Sequence, residues 1–293
     1  MKRLTSCNLC PRKCGVDRTS GKTGFCGAKD TIRVARIALH HWEEPCISGT
    51  KGSGTVFFSH CTMQCVFCQN YDISTCHKGR EISVDELAEG FISLQNQGAH
   101  NINLVTPTHY VPQIINALDI ARKNGLTIPI VYNTSGYEAV ETLRSLEGYI
   151  DIYMPDMKYF DDKYARKYSK APDYFKIASA AIEEMYRQTG EVKLDGEGIM
   201  QKGLLVRHLM LPGLMLDSKR IMDYLNTTYG DKIYISLMCQ YTPLPHVKKY
   251  PELDRKIDMK KYNVLVDYCS SQGMENVFIQ DEESAQESFI PPF

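Results

Sequence analysis

The sequence predicts an α/β protein: a partial (β/α)6 TIM-like barrel preceded by a small cysteine-rich module. Three observations predict it. Short apolar runs alternate with segments of helical periodicity from residue 55 onward, the pattern of a parallel sheet with helices outside. About six or seven such units follow one another, which favours a complete or partial barrel over the alternative, a doubly wound open sheet. The first 30 residues carry cysteine, glycine, arginine and lysine with little apolar periodicity, so a ligand rather than a core is expected to hold them. The expected division is residues 1–50 for the module and linker, and 51–293 for the barrel.

The elements follow in order. Residues 31–54 read as a connecting stretch that ends in Gly49-Thr50-Lys51-Gly52-Ser53-Gly54. Thr55 to Ser59 is a buried strand. Ser83-Val84-Asp85-Glu86 is a capping box, followed by Leu87, Phe91 and Leu94 at helical spacing and Gly98 as the stop. Asn101 to Val105 is the next strand. Pro112 suits the first turn of a helix that runs to Asn124, with Gly125 beyond its end. Ile128 to Tyr132 and Tyr149 to Met154 are strands three and four, with a helix at 137–146 between them. Helices at 162–170 and 172–189 come next, and Leu194 to Gly198 is a surface loop. Leu204 to Met210 is a strand, 217–229 a helix, and Lys232 to Met238 a strand. A helix at 259–272 and a strand at Asn276 to Ile279 complete the pattern, and Asp281-Glu282-Glu283 reads as a solvated acidic end.

Composition narrows the function. The chain has 293 residues, 43% hydrophobic and 24% charged, enough for a full core without disulfide staples. A net charge of -1 gives no basic field for nucleic acid. No run of about 18 apolar residues suggests a membrane helix. Met1-Lys2-Arg3 is followed by no apolar h-region, so a cytoplasmic location is expected. In that reducing setting eleven cysteines point to metal or catalysis and not to disulfides. Cys46, Cys76, Cys239 and Cys269 are scattered and read as small buried hydrophobes.

The chemistry lies in two cysteine groups. Cys61, Cys65 and Cys68 form a C-x3-C-x2-C triplet just past a strand, where barrel loops carry active sites. Three thiolates in eight residues can wrap one soft metal centre. Structural zinc wants four protein ligands; Cys76 and His77 keep a zinc knuckle open as an alternative. Three thiolates on a [4Fe-4S] cluster leave one iron open. The second group is Cys7, Cys10, Cys14 and Cys26, a four-thiolate set that suits closed structural zinc or an auxiliary iron–sulfur cluster equally.

The triplet, with Phe67 directly before its last cysteine, resembles the radical S-adenosylmethionine (SAM) superfamily. That resemblance implies that the open iron chelates SAM and that one electron cleaves it to methionine and a 5′-deoxyadenosyl radical, which abstracts hydrogen. The cysteines Cys61, Cys65 and Cys68 would be catalytic. More of the chain is similar to the pyruvate formate-lyase activating enzymes. Residues two apart on a strand share a face, so Met154, Asp156 and Lys158 would point together into the barrel mouth. There the resemblance places a monovalent cation beside SAM at the Asp, and the SAM carboxylate near the Lys. Asn133 and Thr134 resemble a second cation-and-ribose contact. Arg207 resembles a fifth-strand arginine before a Pro-Gly turn, Pro212-Gly213. Gln240 and Tyr241 lie where a sixth-strand segment would meet the adenosine.

Two departures stand out. The superfamily's Gly-Gly-Glu is replaced by Thr106-Pro107-Thr108-His109, so Thr108 or His109 is expected to take over the contact to the SAM amino group. The cysteine insert of many glycyl-radical activases is absent after Cys68. Glu43 and Glu44 gain a functional reading only from the resemblance; by themselves they read as a solvated acidic pair.

Three functions follow as expectations. The first is activation of a glycyl radical enzyme as protein substrate. The second is a radical SAM reaction on a small molecule or another peptide side chain. The third, from another class, is a zinc-bound interaction module. Either radical reading requires an external electron donor such as flavodoxin or ferredoxin.

Overall fold

Residues 2–280 are described by a computed structural model of the chain; the acidic run at 281–283 lies outside them. After a short helix α1 (Lys2–Thr5) the described residues build ten strands. They are β1 (Ile32–His40), β2 (Ser53–Phe58), β3 (Arg80–Ile82), β4 (Ile102–Val105), β5 (Ile130–Thr134), β6 (Ile152–Pro155), β7 (Lys193–Leu194), β8 (Met200–Leu209), β9 (Tyr234–Met238) and β10 (Val277–Ile279). Their order across the sheet is β10-β9-β8-β6-β5-β4-β2-β1-β3, with β7 on β8. From β2 to β10 the neighbours are parallel.

That order decides between the two expected architectures. A doubly wound sheet reverses its strand order at a switch point. Here the parallel strands follow one another in a single direction, as in a barrel, and the path ends at β10 and β3 without closing. The result is a partial TIM-like barrel. Successive side chains alternate faces as a pleated strand requires. Val56, Phe58, Leu104, Tyr132, Tyr153, Val206 and Leu237 face outward into the main core. Phe57, Val105, Asn133, Arg207, Ser236 and Met238 face inward.

Helices cover the outer face. The first long one, α4 (Val84–Asn96), has the expected capping box, with Ser83 and Glu86 exchanging side-chain bonds to each other's backbone N–H. It buries Leu87, Phe91 and Leu94 against the sheet. Helix α5 (Val111–Lys123) carries Pro112 in its first turn. The helix expected at 137–146 shortens to Val140–Arg144. Helices at Asp162–Ser169, Tyr174–Thr189, Met215–Tyr229 and Met259–Ser271 match their expected positions closely.

The linker expectation fails at residues 32–40. They form β1, which pairs antiparallel with β2 and carries β3 on its far side. Its alternation is weak because both faces are only half buried, which hid the period-two signal. The turn at 195–198 is the tip of a small β7–β8 hairpin; the Asp195 Oδ1 accepts the N–H groups of Glu197 and Ile199, both at 2.9 Å. The third strand sits two residues later than expected, at Ile130–Thr134, which brings Asn133 and Thr134 to its carboxyl end. Of the four scattered cysteines Cys46, Cys239 and Cys269 are buried, but Cys76 is exposed.

Beyond β1 the chain turns inward. The short helix α2 (Pro45–Ser48) has Pro45 at its start and no side-chain cap. Its Cys46 and Ile47 pack with Val131, Ile152, Met154, Met200 and Leu205. Residues 43–47 therefore plug the barrel from below, and a cavity remains above them.

Candidate active site

The cavity occupies about 630 Å³ at the carboxyl ends of the strands. Its lining includes all three triplet cysteines, Phe67, Asn133, Thr134, Asp156, Lys158, Arg207 and Gln240. Seven parallel strands converge at this end, so residues far apart in sequence meet here.

The triplet occupies the loop after β2. His60 and Gln64 hold positive φ angles of 77° and 56°, a left-handed conformation that costs non-glycine residues energy and collects at functional loops. Each thiol has a polar neighbour. The Met63 N–H donates to Cys61 Sγ at 3.3 Å, Ser169 Oγ to Cys65 Sγ at 3.0 Å, and Ser74 Oγ to Cys68 Sγ at 3.4 Å. Burial pushes the Cys65 thiol up to about 12, with the Lys158 ammonium pulling against it. Burial and the nearby Cys61 push Cys68 up to about 11. Buried thiols lining one cavity ionise readily only against strong positive charge. A cluster's iron supplies that charge, and the sulfur donor set fits it. Among the described residues no three His, Cys, Asp or Glu side chains gather as ligands of a single metal ion. Structural zinc wants a fourth protein ligand, whereas three thiolates would hold a cluster and leave one iron open, so the donor set of the triplet fits a cluster. His77 turns away from the triplet and lies against the His60 ring, with centroids 4.1 Å apart.

The opposite wall is a charge network. Arg207 is its hub: Nε donates to Asp156 Oδ1 at 3.0 Å, Nη1 to Glu43 Oε2 at 3.2 Å, and Nη2 to Asn133 Oδ1 at 2.8 Å. Lys158 Nζ donates to Asp156 Oδ2 at 2.6 Å. Glu43 Oε1 also accepts from Asn103 Nδ2 at 3.2 Å and Asn133 Nδ2 at 3.4 Å. Burial alone would raise the Asp156 pKa, but Lys158 and Arg207 outweigh it and hold the carboxyl below its usual value. Burial raises Glu43 and Glu44 despite Arg207. The solvated acidic pair expected from the sequence is thus a buried one. The weak alternation of β1 hides this in the sequence: a strand entering the barrel carries the residues after it inside.

The remaining predicted residues divide. Phe67 is buried and packs near Tyr241, with ring centroids 6.3 Å apart. The Gln240 carbonyl accepts from Gln69 Nε2 at 2.8 Å and so ties the sixth-strand segment to the triplet loop. Tyr241 itself does not line the cavity; its hydroxyl donates to the Leu253 carbonyl at 2.7 Å. Met154 shares the inward face with Asp156 and Lys158 but lies one layer deeper, among the plug residues and not at the mouth.

Thr108 and His109 are not brought to the cavity. Thr108 Oγ1 donates to Glu138 Oε1 at 2.6 Å, and Thr134 donates to the same oxygen. His109 is buried with its pKa pushed down to about 3 by desolvation. A neutral ring then donates from Nε2 to the Ser59 carbonyl at 2.7 Å, just before the triplet. The short 3-10 turn at Thr108–Tyr110 directs both side chains outward. Thr106 lines the cavity in their place, at a φ of 58° unusual for a β-branched residue.

The N-terminal thiols are assembled beside this site. Burial pushes Cys10 up to about 12, with Cys26 and Cys14 adding to the rise, and Cys26 in turn is raised in part by Cys7 and Cys14. Three side chains join the module to the triplet loop. Arg12 Nε donates to the Thr62 carbonyl at 3.0 Å, Gln64 Nε2 to the Phe25 carbonyl at 3.1 Å, and His60 Nδ1 lies 3.1 Å from the Cys26 carbonyl. Arg12 also stacks on Phe25, 3.8 Å from the ring centroid. Arg18 is fully buried and donates to the His109 carbonyl at 2.6 Å.

Comparison with known proteins agrees with this geometry. The radical SAM superfamily profile matches residues 55–200. An uncharacterized protein of Methanocaldococcus jannaschii is 27% identical over 283 residues, a match that covers 93% of this chain and 77% of that protein. Among solved structures, SuiB of Streptococcus suis bound to its precursor peptide SuiA superposes with a TM-score of 0.51 at 15% identity, over 75% of this chain and 46% of SuiB. The [FeFe]-hydrogenase maturase HydG from Carboxydothermus hydrogenoformans superposes with a TM-score of 0.54 at 14% identity, over 78% of this chain and 54% of HydG. The chain spans about half the length of these two structures, and at such identity the likeness is one of fold. No helix among the described residues is long and apolar enough to cross a membrane.

Proposed function

We propose that this chain reductively cleaves SAM in the cavity above Glu43 and Glu44 and abstracts hydrogen from a substrate held there, a reading supported by the match of the radical SAM superfamily profile to residues 55–200. Convergence of Cys61, Cys65 and Cys68 on the cavity that also holds Asp156, Lys158 and Arg207 carries the reading. The three cysteines would hold a [4Fe-4S] cluster, which when bound supplies the electron that converts SAM to methionine and a 5′-deoxyadenosyl radical.

The chain's own residues do the positioning. Lys158 presents an ammonium beside Cys65, and Asp156 fixes it from the far side at 2.6 Å. That ammonium offers a carboxylate partner next to the cluster loop. Asn133 and Thr134, at the end of β5, would shape a ribose or monovalent-cation subsite from the cavity wall, Asn133 while bridging Arg207 and Glu43 and Thr134 while bonded to Glu138. Gln240 lies on the same rim. Phe67 and Met63 supply the apolar side of the cavity beside the thiols. Cys7, Cys10, Cys14 and Cys26 would hold zinc or a second cluster once drawn together, since among the described residues no three such side chains gather around one ion, and Arg12 ties their module to the triplet loop.

On substrate, two readings have separate support. Activation of a glycyl radical enzyme, as by the pyruvate formate-lyase activating enzymes, is supported by the pair Asp156 and Lys158 in the mouth of an unclosed barrel. Action on a small molecule or a different peptide side chain is supported by the acidic cavity floor, which a glycyl residue would not need. Flavodoxin or ferredoxin is the proposed reductant. The two readings separate on one experiment: deuterium transfer from substrate into 5′-deoxyadenosine. A stable glycyl radical doublet on a partner supports the first. Label arriving from a small molecule or a non-glycine side chain supports the second and sinks the first.

A further inference from the structure

The floor of the cavity holds more acid than base. Glu43, Glu44 and Asp156 bring three carboxyl groups against two cations, Arg207 and Lys158. Bonds to Asp156, Glu43 and Asn133 use the Arg207 fork, and a bond to Asp156 uses Lys158. Glu44 takes part in none of these bonds. It is 8% exposed, and its Oε2 is buried with no hydrogen-bond partner. Ser236, on the inward face of β9, is 1% exposed; its Oγ completes no full hydrogen bond, and its hydroxyl faces the Glu44 carboxyl closely enough to favour the ionised form weakly. Both residues line the cavity. An unpaired buried polar atom costs about 1–3 kcal/mol and more if charged, so the unbonded Glu44 Oε2 at the base of the cavity needs an explanation. Its place is fixed from below: the Glu44 carbonyl accepts the N–H groups of Ile47 at 2.8 Å and Ser48 at 3.0 Å. Those two bonds anchor the Glu44 backbone in the first turn of the plug, and its side chain lines the cavity.

We propose that Glu44 and Ser236 form a recognition site for a cationic nitrogen group, an amine or guanidine, on the substrate. This rests on the second substrate reading above. An acceptor pair with one excess carboxylate matches a group that has only N–H donors and a positive charge. A neutral or anionic group would leave the carboxylate uncompensated. The substrate then stands on its cationic end at the cavity floor, with its other end directed toward Lys158 and the triplet.

The chain contains a single tryptophan, Trp42, and it lines the same cavity. Its fluorescence is therefore a binding reporter that needs no turnover. Iron-loaded protein with SAM bound is titrated with n-butylamine and with its neutral counterpart n-butanol, and melting temperature is followed as a second readout. The amine is expected to bind at least tenfold more tightly than the alcohol. In Glu44→Gln, which keeps the shape and removes the charge, the ratio is expected to fall toward one; Ser236→Ala should lower it less. Equal binding of the two probes to the parent would overturn the proposal. So would a ratio unchanged by Glu44→Gln, which would mean that Glu44 is held neutral. Displacement of the amine by an equal concentration of potassium would reassign the site to an inorganic cation and overturn it as well. If the amine preference holds while no 5′-deoxyadenosine is ever formed, the pocket stands and the radical reading falls.

Discussion

Replacing Arg207 by methionine removes the hub of the charge network and keeps most of the side chain's bulk. The guanidinium is 16% exposed and makes three hydrogen bonds, two of them to carboxylates that are 14% and 9% exposed. Removing one partner of a buried pair costs about 3–5 kcal/mol, because the other charge is left uncompensated. For a domain of this size that corresponds to a fall in Tm of roughly 6–20 °C. The loss should depend on pH. Burial already raises Glu43, and Arg207 is what opposes it. Without Arg207 the folded-state pKa rises further above the unfolded one. A carboxyl shifted upward contributes its stability below the unfolded pKa and loses it as pH rises through the folded value. Arg207→Met should therefore be more damaging at about pH 8 than at about pH 5, and adding Glu43→Gln should restore part of the loss at the higher pH. Urea unfolding of the reduced protein, followed by circular dichroism at both pH values, measures this. A loss under about 1 kcal/mol, the size of a surface pair, would refute the reasoning, as would a loss equal at the two pH values.

Further outcomes follow from single contacts. Glu138 is fully buried and burial pushes its pKa up to about 7, even though Thr108, Thr134 and Tyr132 donate to it. Its folded pKa exceeds the unfolded one, so stability is lost as pH rises from the ordinary carboxylate range through about 7. Glu138→Gln should flatten that dependence, which amounts to about 3 kcal/mol across the window, as read from urea midpoints against pH. Ser83→Ala removes the capping-box acceptor of α4 and should cost about 1 kcal/mol by urea unfolding, with no change in iron content. Arg12→Ala cuts the bond from the N-terminal module to Thr62. It should lower iron retained after anaerobic reconstitution and speed proteolysis within residues 7–26, while far-ultraviolet dichroism stays unchanged.

Much of this organisation was legible in the sequence because it rests on local signals. The capping box at Ser83, the proline at 112 and the glycine stops placed α4 and α5 within a residue or two. Buried parallel strands announce themselves as apolar runs, and the triplet after the first of them located the cavity. Asp156, Lys158, Arg207 and Asn133 were found through strand ends and resemblance, and they do meet. What failed depended on tertiary placement. Residues 32–40 carry too weak an alternation to read as a strand, so nothing local revealed that Glu43 and Glu44 enter the barrel. Thr108 and His109 stand at the right distance along the chain, but a 3-10 turn points them away. Met154 was assigned the correct face and the wrong depth, because period-two reasoning fixes a face and not a layer. Exposed Cys76 shows the same limit: a scattered cysteine is usually buried, and only the fold says which one is not.

In the proposed reading Cys61, Cys65 and Cys68 serve radical SAM chemistry in the cavity above Glu43 and Glu44. The direct measurement is 5′-deoxyadenosine formation by anaerobically reconstituted protein given SAM and a strong reductant, beside a Cys68→Ala control. Production by the parent protein, with loss of iron and of product in the control, is the expected result. A parent protein that retains iron at the triplet, binds SAM and still forms no 5′-deoxyadenosine with any reductant or candidate substrate would contradict the account.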